Sequence, residues 1–164
     1  MRPAPIPLTV LESQYRVDQF NAAYGDCLDR GDYDAWIAMF AEDCLYKVVP
    51  RENFDAGLPL ATMALEGQGM LKDRVYGITN TLFHGPYYQR HVIGAARVLA
   101  DDGATIEAGA NYAVFRTKPG SVSEVYNVGR YLDVFVRQAG ELKLKQRLCV
   151  FDSELILNSL IYPI

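Results

Sequence analysis

The stretch Glu141-Leu142-Lys143-Leu144-Lys145-Gln146-Arg147-Leu148-Cys149-Val150-Phe151 carries the clearest structural pattern of the chain, and the fold class follows from it. Apolar and charged residues alternate in this stretch, which is the period of a β-strand with one buried face. The face expected to be buried carries Leu142, Leu144, Leu148 and Val150. The other face carries Lys143, Lys145 and Arg147 and is expected to meet solvent or a partner.

Three further strand patterns precede this stretch, at residues 90–100, 105–117 and 124–137. The connections between the four patterns are Asp101-Asp102-Gly103, Pro119-Gly120-Ser121 and Ala139-Gly140, which are typical of tight turns between antiparallel strands. One face of the second pattern carries Ile106, Ala108, Ala110, Tyr112 and Val114. The second half of the chain therefore predicts a long, mostly antiparallel sheet.

The first half predicts helices. Thr9-Val10-Leu11-Glu12 has the pattern of a capping box, and apolar residues at helical spacing continue to Leu28, before Gly31. Shorter helices are expected within 32–40 and 70–82, the latter with Gly77 as a weak point. Residues 44–49 and 60–65 are expected to pair as strands.

Helices first and a bent sheet later define an α+β domain. Helices that cover the concave face of such a sheet form a cone, closed by the first helix. A chain of 164 residues can bury one sizeable core. We therefore expect a single domain over residues 1–164.

Composition excludes several classes of protein. Hydrophobic residues make up 50% and charged residues 22% of the chain, as in ordinary globular proteins. The net charge of −4, with both signs interspersed, offers no basic stripe for nucleic acid. No apolar run is long enough to span a bilayer.

The cysteines and the first residues indicate a reducing compartment. Cys27, Cys44 and Cys149 are odd in number and widely spaced, which favours small buried hydrophobes over disulfides. Residues 1–7 contain three prolines and lack the apolar core of a signal peptide. We therefore expect the protein in the cytoplasm.

The sequence offers few groups for metal or redox chemistry. The only histidines, His84 and His91, lie seven residues apart, one before Pro86 and one on a predicted strand, so a shared metal site is not expected. A Rieske cluster needs closely spaced cysteine and histidine pairs, which the chain lacks. Nucleotide-binding and serine-hydrolase motifs are also absent.

A cone could still catalyse with one general base in its cavity. The polar candidates are Asp34, Tyr46, His84, His91 and Asp133. The structural alternative is that the tyrosines pack in the core while the carboxylates cap helices or pair with arginine.

The end of the chain suggests an interface. Residues 155–164 are largely apolar, whereas terminal residues are usually polar and frayed, so this tail must be covered by its own sheet or by another chain. Tyrosine and arginine are frequent in interface hot spots. The interface candidates are Tyr87, Tyr88, Arg90, Arg147, Tyr162 and Ile164. The alternative is that these residues clamp the domain's own tail.

Three motifs carry a resemblance to a known family. They are Asp73-Arg74-Val75, Tyr88-x-Arg90-His91, and Arg147-Leu148-Cys149-Val150-Phe151-Asp152-Ser153 followed by the apolar tail. Their order and spacing, from about Thr9 onward, resemble the small (beta) subunits of aromatic-ring-hydroxylating oxygenases. Residues 50–60 look most like the small subunits of salicylate 5-hydroxylase-type enzymes, with benzoate- and terephthalate-type relatives more distant.

The resemblance implies an NTF2-like (cystatin-like) cone and a structural rather than catalytic role. In that family the Rieske [2Fe-2S] cluster and the mononuclear Fe(II) belong to a separate large (alpha) subunit, commonly in an alpha3beta3 assembly with a trimer of small subunits. Electrons would come from NAD(P)H through a reductase and a ferredoxin, and an aromatic carboxylate such as salicylate or a benzoate would be hydroxylated. No catalytic residue, cofactor or metal ligand carries over to this chain.

A competing hypothesis remains open because one fold serves many functions. The same cone occurs in stand-alone isomerases and dehydratases, in which His84, His91, Asp133 or Tyr46 would act as a general base. The apolar tail and the arginine- and tyrosine-rich rim favour the subunit hypothesis.

Overall fold

The computed structural model describes residues 7–153 and 160–164. The helices of this part are α1 Leu8–Asp29, α2 Tyr33–Ala38, α3 Arg51–Asp55 and α4 Gly67–Tyr76, and a π-helical turn, Gly77–Thr81, continues α4. The strands are β1 Phe40–Pro50, β2 Met63–Glu66, β3 Tyr88–Ile93, β4 Arg97–Asp101, β5 Thr105–Thr117, β6 Glu124–Gln138 and β7 Glu141–Phe151. Residues 1–6 and 154–159 lie outside the described residues, and they include most of the proline-containing start and half of the apolar tail.

The strands form one mixed, bent sheet in the order β2-β1-β7-β6-β5-β3, and β4 also pairs with β5. Strands β1 and β7 run parallel, and the other pairs are antiparallel. Helix α1 packs against β3, β4 and β7, while α4 packs against β1. Helices on one side of a strongly bent sheet confirm the predicted α+β cone.

The first helix begins differently from the prediction. It starts at Leu8 with Pro7 before it, and no side chain caps its first turn. The Pro7 carbonyl instead accepts hydrogen bonds from the amides of Val10 and Leu11, at 3.1 and 3.3 Å. The capping box predicted at Thr9 is therefore wrong, because proline presets the backbone angle at the helix start.

Helix α1 ends, and helix α2 begins, at the positions that the sequence predicts. Gly31 adopts a positive φ of 70° just after α1, a conformation that glycine reaches without strain. Asp32 then caps α2 by accepting a hydrogen bond from the Ala35 amide at 3.1 Å. Gly77 marks the point where α4 changes to a π-helical turn.

The strand predicted over residues 90–100 is divided into β3 and β4, which both pair with β5. Between them, the Gly94 amide donates to the Asn111 carbonyl at 2.9 Å, while the Ala96 amide donates to the Asp18 carboxylate at 2.8 Å. A helix α1 side chain thus takes an amide that a continuous strand would use, and the sheet edge breaks there.

A β-bulge changes the inward face of β7. Gln146 lies opposite Val134 and Leu144 lies opposite Phe135, so Lys145 is the extra residue. Beyond the bulge the inward positions are Arg147, Cys149 and Phe151, which are buried, whereas Leu148 is only half-buried. The predicted alternation is correct as far as Leu144 and wrong for Arg147 and Leu148, because one inserted residue exchanges the two faces. Val150 is buried as predicted, although it lies on the same face as Leu148.

Gly129 lets β6 and β7 approach each other where the sheet bends. A Cβ atom at this position would lie 2.1 Å from the Val150 carbonyl oxygen and 2.7 Å from the Phe151 Cα atom. Both neighbours are backbone atoms of the paired strand, so they cannot rotate away. The close approach of β6 and β7 at this pair therefore requires glycine.

We expect Gly129→Ala to lower the free energy of unfolding by about 2–3 kcal/mol, since the new methyl group forces two backbones apart. Urea unfolding followed by circular dichroism measures the effect. Gly69→Ala, in α4 with no atom within 4 Å of the added group, is the matched control. It should be neutral or stabilising by up to about 1 kcal/mol. Equal effects of the two substitutions would contradict this account.

Candidate functional site

The centre of the cone is occupied by a buried ion pair. Arg147 Nε and Nη2 donate to the two carboxylate oxygens of Asp133, at 2.9 and 2.7 Å, and Nη2 also donates to Asn21 Oδ1 at 2.6 Å. The guanidinium carbon lies 4.1 Å from the ring centroids of both Tyr24 and Tyr131. Arginine is thus held by a bidentate carboxylate and by two aromatic rings on adjacent sides of the guanidinium, since the ring centroids are only 6.0 Å apart.

This arrangement keeps Arg147 charged. Burial alone would lower the pKa of its guanidinium, but the Asp133 carboxylate outweighs that effect and raises the pKa above the ordinary value for arginine. The side chains of both residues are almost completely inaccessible to solvent, at 0% and 1% exposure. Asp133 is therefore committed to a structural pair and is not free to act as a base.

Tyrosine hydroxyl groups hold the last residue of the chain inside the cone. The Ile164 main-chain oxygen accepts from the hydroxyl groups of Tyr24 and Tyr46, at 2.8 and 2.9 Å. The Ile164 amide also donates to Tyr46 at 2.9 Å. Burial raises the pKa of Tyr46 well above the usual value, so its phenol stays protonated and works as a hydrogen-bond donor rather than as a base.

His91 forms a buried pair with Asp29 at the end of α1. Its Nδ1 lies 2.7 Å from Asp29 Oδ1, and its main-chain amide donates to the same carboxylate at 3.0 and 3.1 Å. The His91 ring is 0% exposed. The pair joins α1 to β3 and leaves the imidazole no surface from which to reach a substrate.

His84 lies at the rim of the cone, on the loop before β3. Its Nε2 is 2.6 Å from the Tyr162 hydroxyl, and the Tyr162 ring packs against that of Tyr87 with centroids 4.7 Å apart. Nearby, the Arg116 guanidinium lies 4.5 Å from the centroid of the Tyr126 ring. This end of the cone is a cluster of aromatic rings.

The structure does not bring the predicted bases together. Asp133, Tyr46, His91 and His84 have different partners within the chain, and Asp34 is exposed on α2. The Cys149 thiol is not a ready nucleophile either, because burial raises its pKa to about 12. The arrangement is that of a filled core rather than of an assembled active site.

Metal ligation finds no support in the part of the chain that the structure covers. No group of three or more His, Cys, Asp or Glu side chains in residues 7–153 and 160–164 is placed to hold a metal ion. Within the same residues, no helix has both the length and the apolar character needed to cross a bilayer.

The interface candidates separate into two groups. Arg147 and Ile164 have no exposed surface and lie inside the domain. Tyr87 and Tyr162 are half-buried and pack against each other, and their role in subunit contacts stays a prediction. Tyr88 is 73% exposed, and the Arg90 side chain is 71% exposed. A role of these two in subunit contacts stays a prediction.

Two exposed apolar residues on the loops before β3 and β6 were not among the predicted interface residues. They are Phe83, which is fully exposed, and Val122, at 88% exposure. Tyr88 pairs with Thr117, whose hydroxyl lies 2.7 Å from that of Ser123, next to Val122. We call Phe83, Tyr88 and Val122 the rim patch. The sequence contains no signal for it, since exposure in loops has no periodicity.

Comparison with known proteins agrees with the geometry. The family profile described as "SnoaL-like domain" matches residues 9–148. The anthranilate 1,2-dioxygenase small subunit of Burkholderia cepacia is 30% identical over 94% of this chain and 96% of that protein. A terephthalate 1,2-dioxygenase terminal oxygenase subunit beta from Comamonas sp is 30% identical over 86% of this chain and 92% of that protein.

A solved structure is more similar still. The beta subunit of a putative aromatic-ring-hydroxylating dioxygenase from Novosphingobium aromaticivorans is 39% identical, with a TM-score of 0.87 over 95% of this chain and 99% of that one. The chain belongs to the SnoaL-like family, in the group of small subunits of aromatic-ring-hydroxylating oxygenases. The narrower likeness to salicylate 5-hydroxylase-type subunits stays a prediction.

Removal of Arg147 should be costly, because it leaves the Asp133 carboxylate buried without a partner. We expect Arg147→Met to lower the free energy of unfolding by about 3–5 kcal/mol, and the double variant Arg147→Met/Asp133→Leu to recover most of that loss. Urea unfolding of the single and double variants measures the coupling.

Arg130→Met provides the control for this prediction. Arg130 lies in the same strand as Asp133, but its pair with Asp55 is long, at 3.7 Å, and partly exposed. Its loss should cost less than about 1 kcal/mol. An additive double variant, or equal losses for Arg147→Met and Arg130→Met, would contradict the assigned role of the buried pair.

Proposed function

We propose that this chain is the non-catalytic, structural small subunit of a multicomponent aromatic-ring oxygenase, and that it assembles with a large subunit that carries the chemistry. The observation that carries this proposal is the engagement of His84, His91, Asp133 and Tyr46 by partners within the chain. The same observation leaves the stand-alone isomerase or dehydratase without a free base. The relatives named as small subunits support the same conclusion.

In this proposal the large subunit supplies the iron centres and the redox chemistry. In the proposed assembly the large subunit holds the Rieske [2Fe-2S] cluster and the mononuclear Fe(II), and it receives electrons from NAD(P)H through a reductase and a ferredoxin. The substrate is an aromatic carboxylate, the stoichiometry is alpha3beta3, and the small subunits form a trimer. The whole chain, residues 1–164, acts as one domain in the cytoplasm.

The outer face of the sheet offers a surface for such contacts. Helix α1 covers the inner face, where Ala108, Asp133 and Arg147 lie side by side across β5, β6 and β7. The adjacent outward rows carry Leu132, Val134 and Leu148, which are half-buried, with the more exposed Val125 and Val128. Helix α3 packs over part of this face, where Val150 is buried, and an apolar sheet face that its own chain covers only in part is typical of a subunit interface.

The rim patch is the second contact surface. Phe83, Tyr88 and Val122 present exposed side chains on the loop before β3, on β3 and on the loop before β6, and Arg90 follows Tyr88 by two residues on the same side of β3. Aromatic and arginine side chains are enriched in the buried centres of interfaces, because they cover a large area with few rotatable bonds. We assign this patch to contact with the large subunit.

Coexpression with an oxygenase large subunit tests the proposal. The chain purified alone should show neither iron absorbance nor turnover, whereas the two chains together should co-elute in size-exclusion chromatography with iron and activity. Turnover of an aromatic carboxylate by the isolated small chain, or separate elution of the two chains, would refute the proposed function.

The rim patch can be tested in the same assay. We expect the double variant Phe83→Ala/Tyr88→Ala to weaken binding to the large subunit at least about 30-fold, as for the loss of an interface hot spot. Tyr15→Ala is the matched control, because Tyr15 is exposed on α1, at 64%. Unchanged affinity of the double variant would remove the rim patch from the interface without affecting the proposed function.

A further inference from the structure

Residues 160–164, which we call the strap, enter the mouth of the cone and are held there by specific contacts. Arg74 Nη2 donates to the Leu160 and Ile161 carbonyls, at 2.7 and 2.5 Å. The Tyr162 hydroxyl pairs with His84 Nε2 at 2.6 Å, and Ile164 is 0% exposed. A helix, a loop and the core thus each hold one part of the strap.

The place that Ile164 occupies has the composition of a ligand site. Two phenol hydroxyls, from Tyr24 and Tyr46, converge on one oxygen atom, and the Cys149 thiol lies 3.5 Å from the same oxygen. The aromatic rings of Trp36 and Phe40 surround Tyr46, with centroids 5.5 and 6.0 Å away. Small-molecule sites in proteins combine apolar walls with a few convergent polar groups in the same way.

The core also holds more hydrogen-bond donors than the strap uses. The Tyr131 hydroxyl and Arg147 Nη1 are fully buried and have no hydrogen-bond partner among the described residues. Tyr131 lies opposite Cys149 in the sheet, and its ring centroid is 6.0 Å from that of Tyr24. Buried donors are normally satisfied, so these unused donors on two residues next to Tyr24 indicate a site suited to a ligand with further acceptor atoms.

We propose that the interior of the cone is a small-molecule site that the strap fills in cis. The ligand it fits has a compact apolar body, about the size of an isoleucine side chain, that ends in a carbonyl or carboxyl oxygen. Such a ligand competes with the strap for the hydroxyl groups of Tyr24 and Tyr46. This binding property goes beyond the proposed function, since a structural subunit needs no ligand of its own.

The test uses the full-length chain with the substitution Arg74→Met, which removes both hydrogen bonds to the strap and leaves Tyr24 and Tyr46 intact. The probes are 4-methyl-2-pentanone and 4-methylpentanoate, with 2-methylpentane as a probe that lacks oxygen. Trp36, the single tryptophan, packs against Tyr46 and reports occupancy by fluorescence. Hydrogen exchange at residues 160–164 reports release of the strap.

We expect Arg74→Met to bind the two oxygen-containing probes with an apparent Kd at least about tenfold below that of the wild-type chain, because a larger fraction of molecules has the site open. Adding Tyr46→Phe should then raise the Kd about five- to tenfold, as expected for one lost hydrogen bond, and leave the response to 2-methylpentane unchanged. The exposed residue Arg97 supplies the control Arg97→Met, which should behave like wild type.

Several outcomes would overturn the proposal. They are equal probe affinity in the wild-type and Arg74→Met chains, release of the strap without probe binding, and binding that is insensitive to Tyr46→Phe. If Arg74→Met fails to fold, as judged by circular dichroism, Tyr162→Ala loosens the strap at its contact with His84 and permits the same measurements. The assay uses the isolated chain, so its result is independent of assembly with a large subunit.

Discussion

The buried pair of Arg147 and Asp133 is the interaction on which the interior of this protein depends. A charged guanidinium is stable inside a core only when its hydrogen bonds and its charge are matched, and here Asp133, Asn21 and two tyrosine rings supply that match. The pair spans β6 and β7, and its third partner comes from α1. It therefore ties the first helix to the two strands at the centre of the sheet.

The position of this pair follows from a single irregularity. Without the extra residue at Lys145, Arg147 would lie on the outer face with the lysines that precede it, and Leu148 would lie inside. The bulge places arginine in the core and leaves Leu148 on the outer face beside Leu132, its partner in β6. One inserted residue thus shapes both the filled interior and an apolar exterior that suits contact with another subunit.

The proposed structural role follows from the side chains that fill the cone. A cone with an open cavity and a free base is suited to isomerisation or dehydration, whereas in this chain the tyrosines, Arg147 and Ile164 occupy that space. The candidate bases are engaged in fastening elements of the fold: His91 to α1, His84 to the strap, and Tyr46 to Ile164. The chain offers apolar outer surfaces for contact rather than an open active site. This property agrees with its membership among oxygenase small subunits.

The order and type of the main elements could be predicted from the amino-acid sequence. Apolar and polar residues alternate over residues 105–151, and apolar residues recur at helical spacing before Gly31. These local patterns, with the turn residues between them, predict the α+β class and most strand bounds. The family motifs added the cone and the subunit role.

Contacts between distant side chains became visible only in the folded chain. The bulge at Lys145, the division between β3 and β4, the pairing of Asp29 with His91 and the burial of Ile164 depend on contacts between residues far apart in sequence, which periodicity does not encode. For that reason Arg147 could be recognised as important but not assigned to the core, and the rim patch could not be predicted.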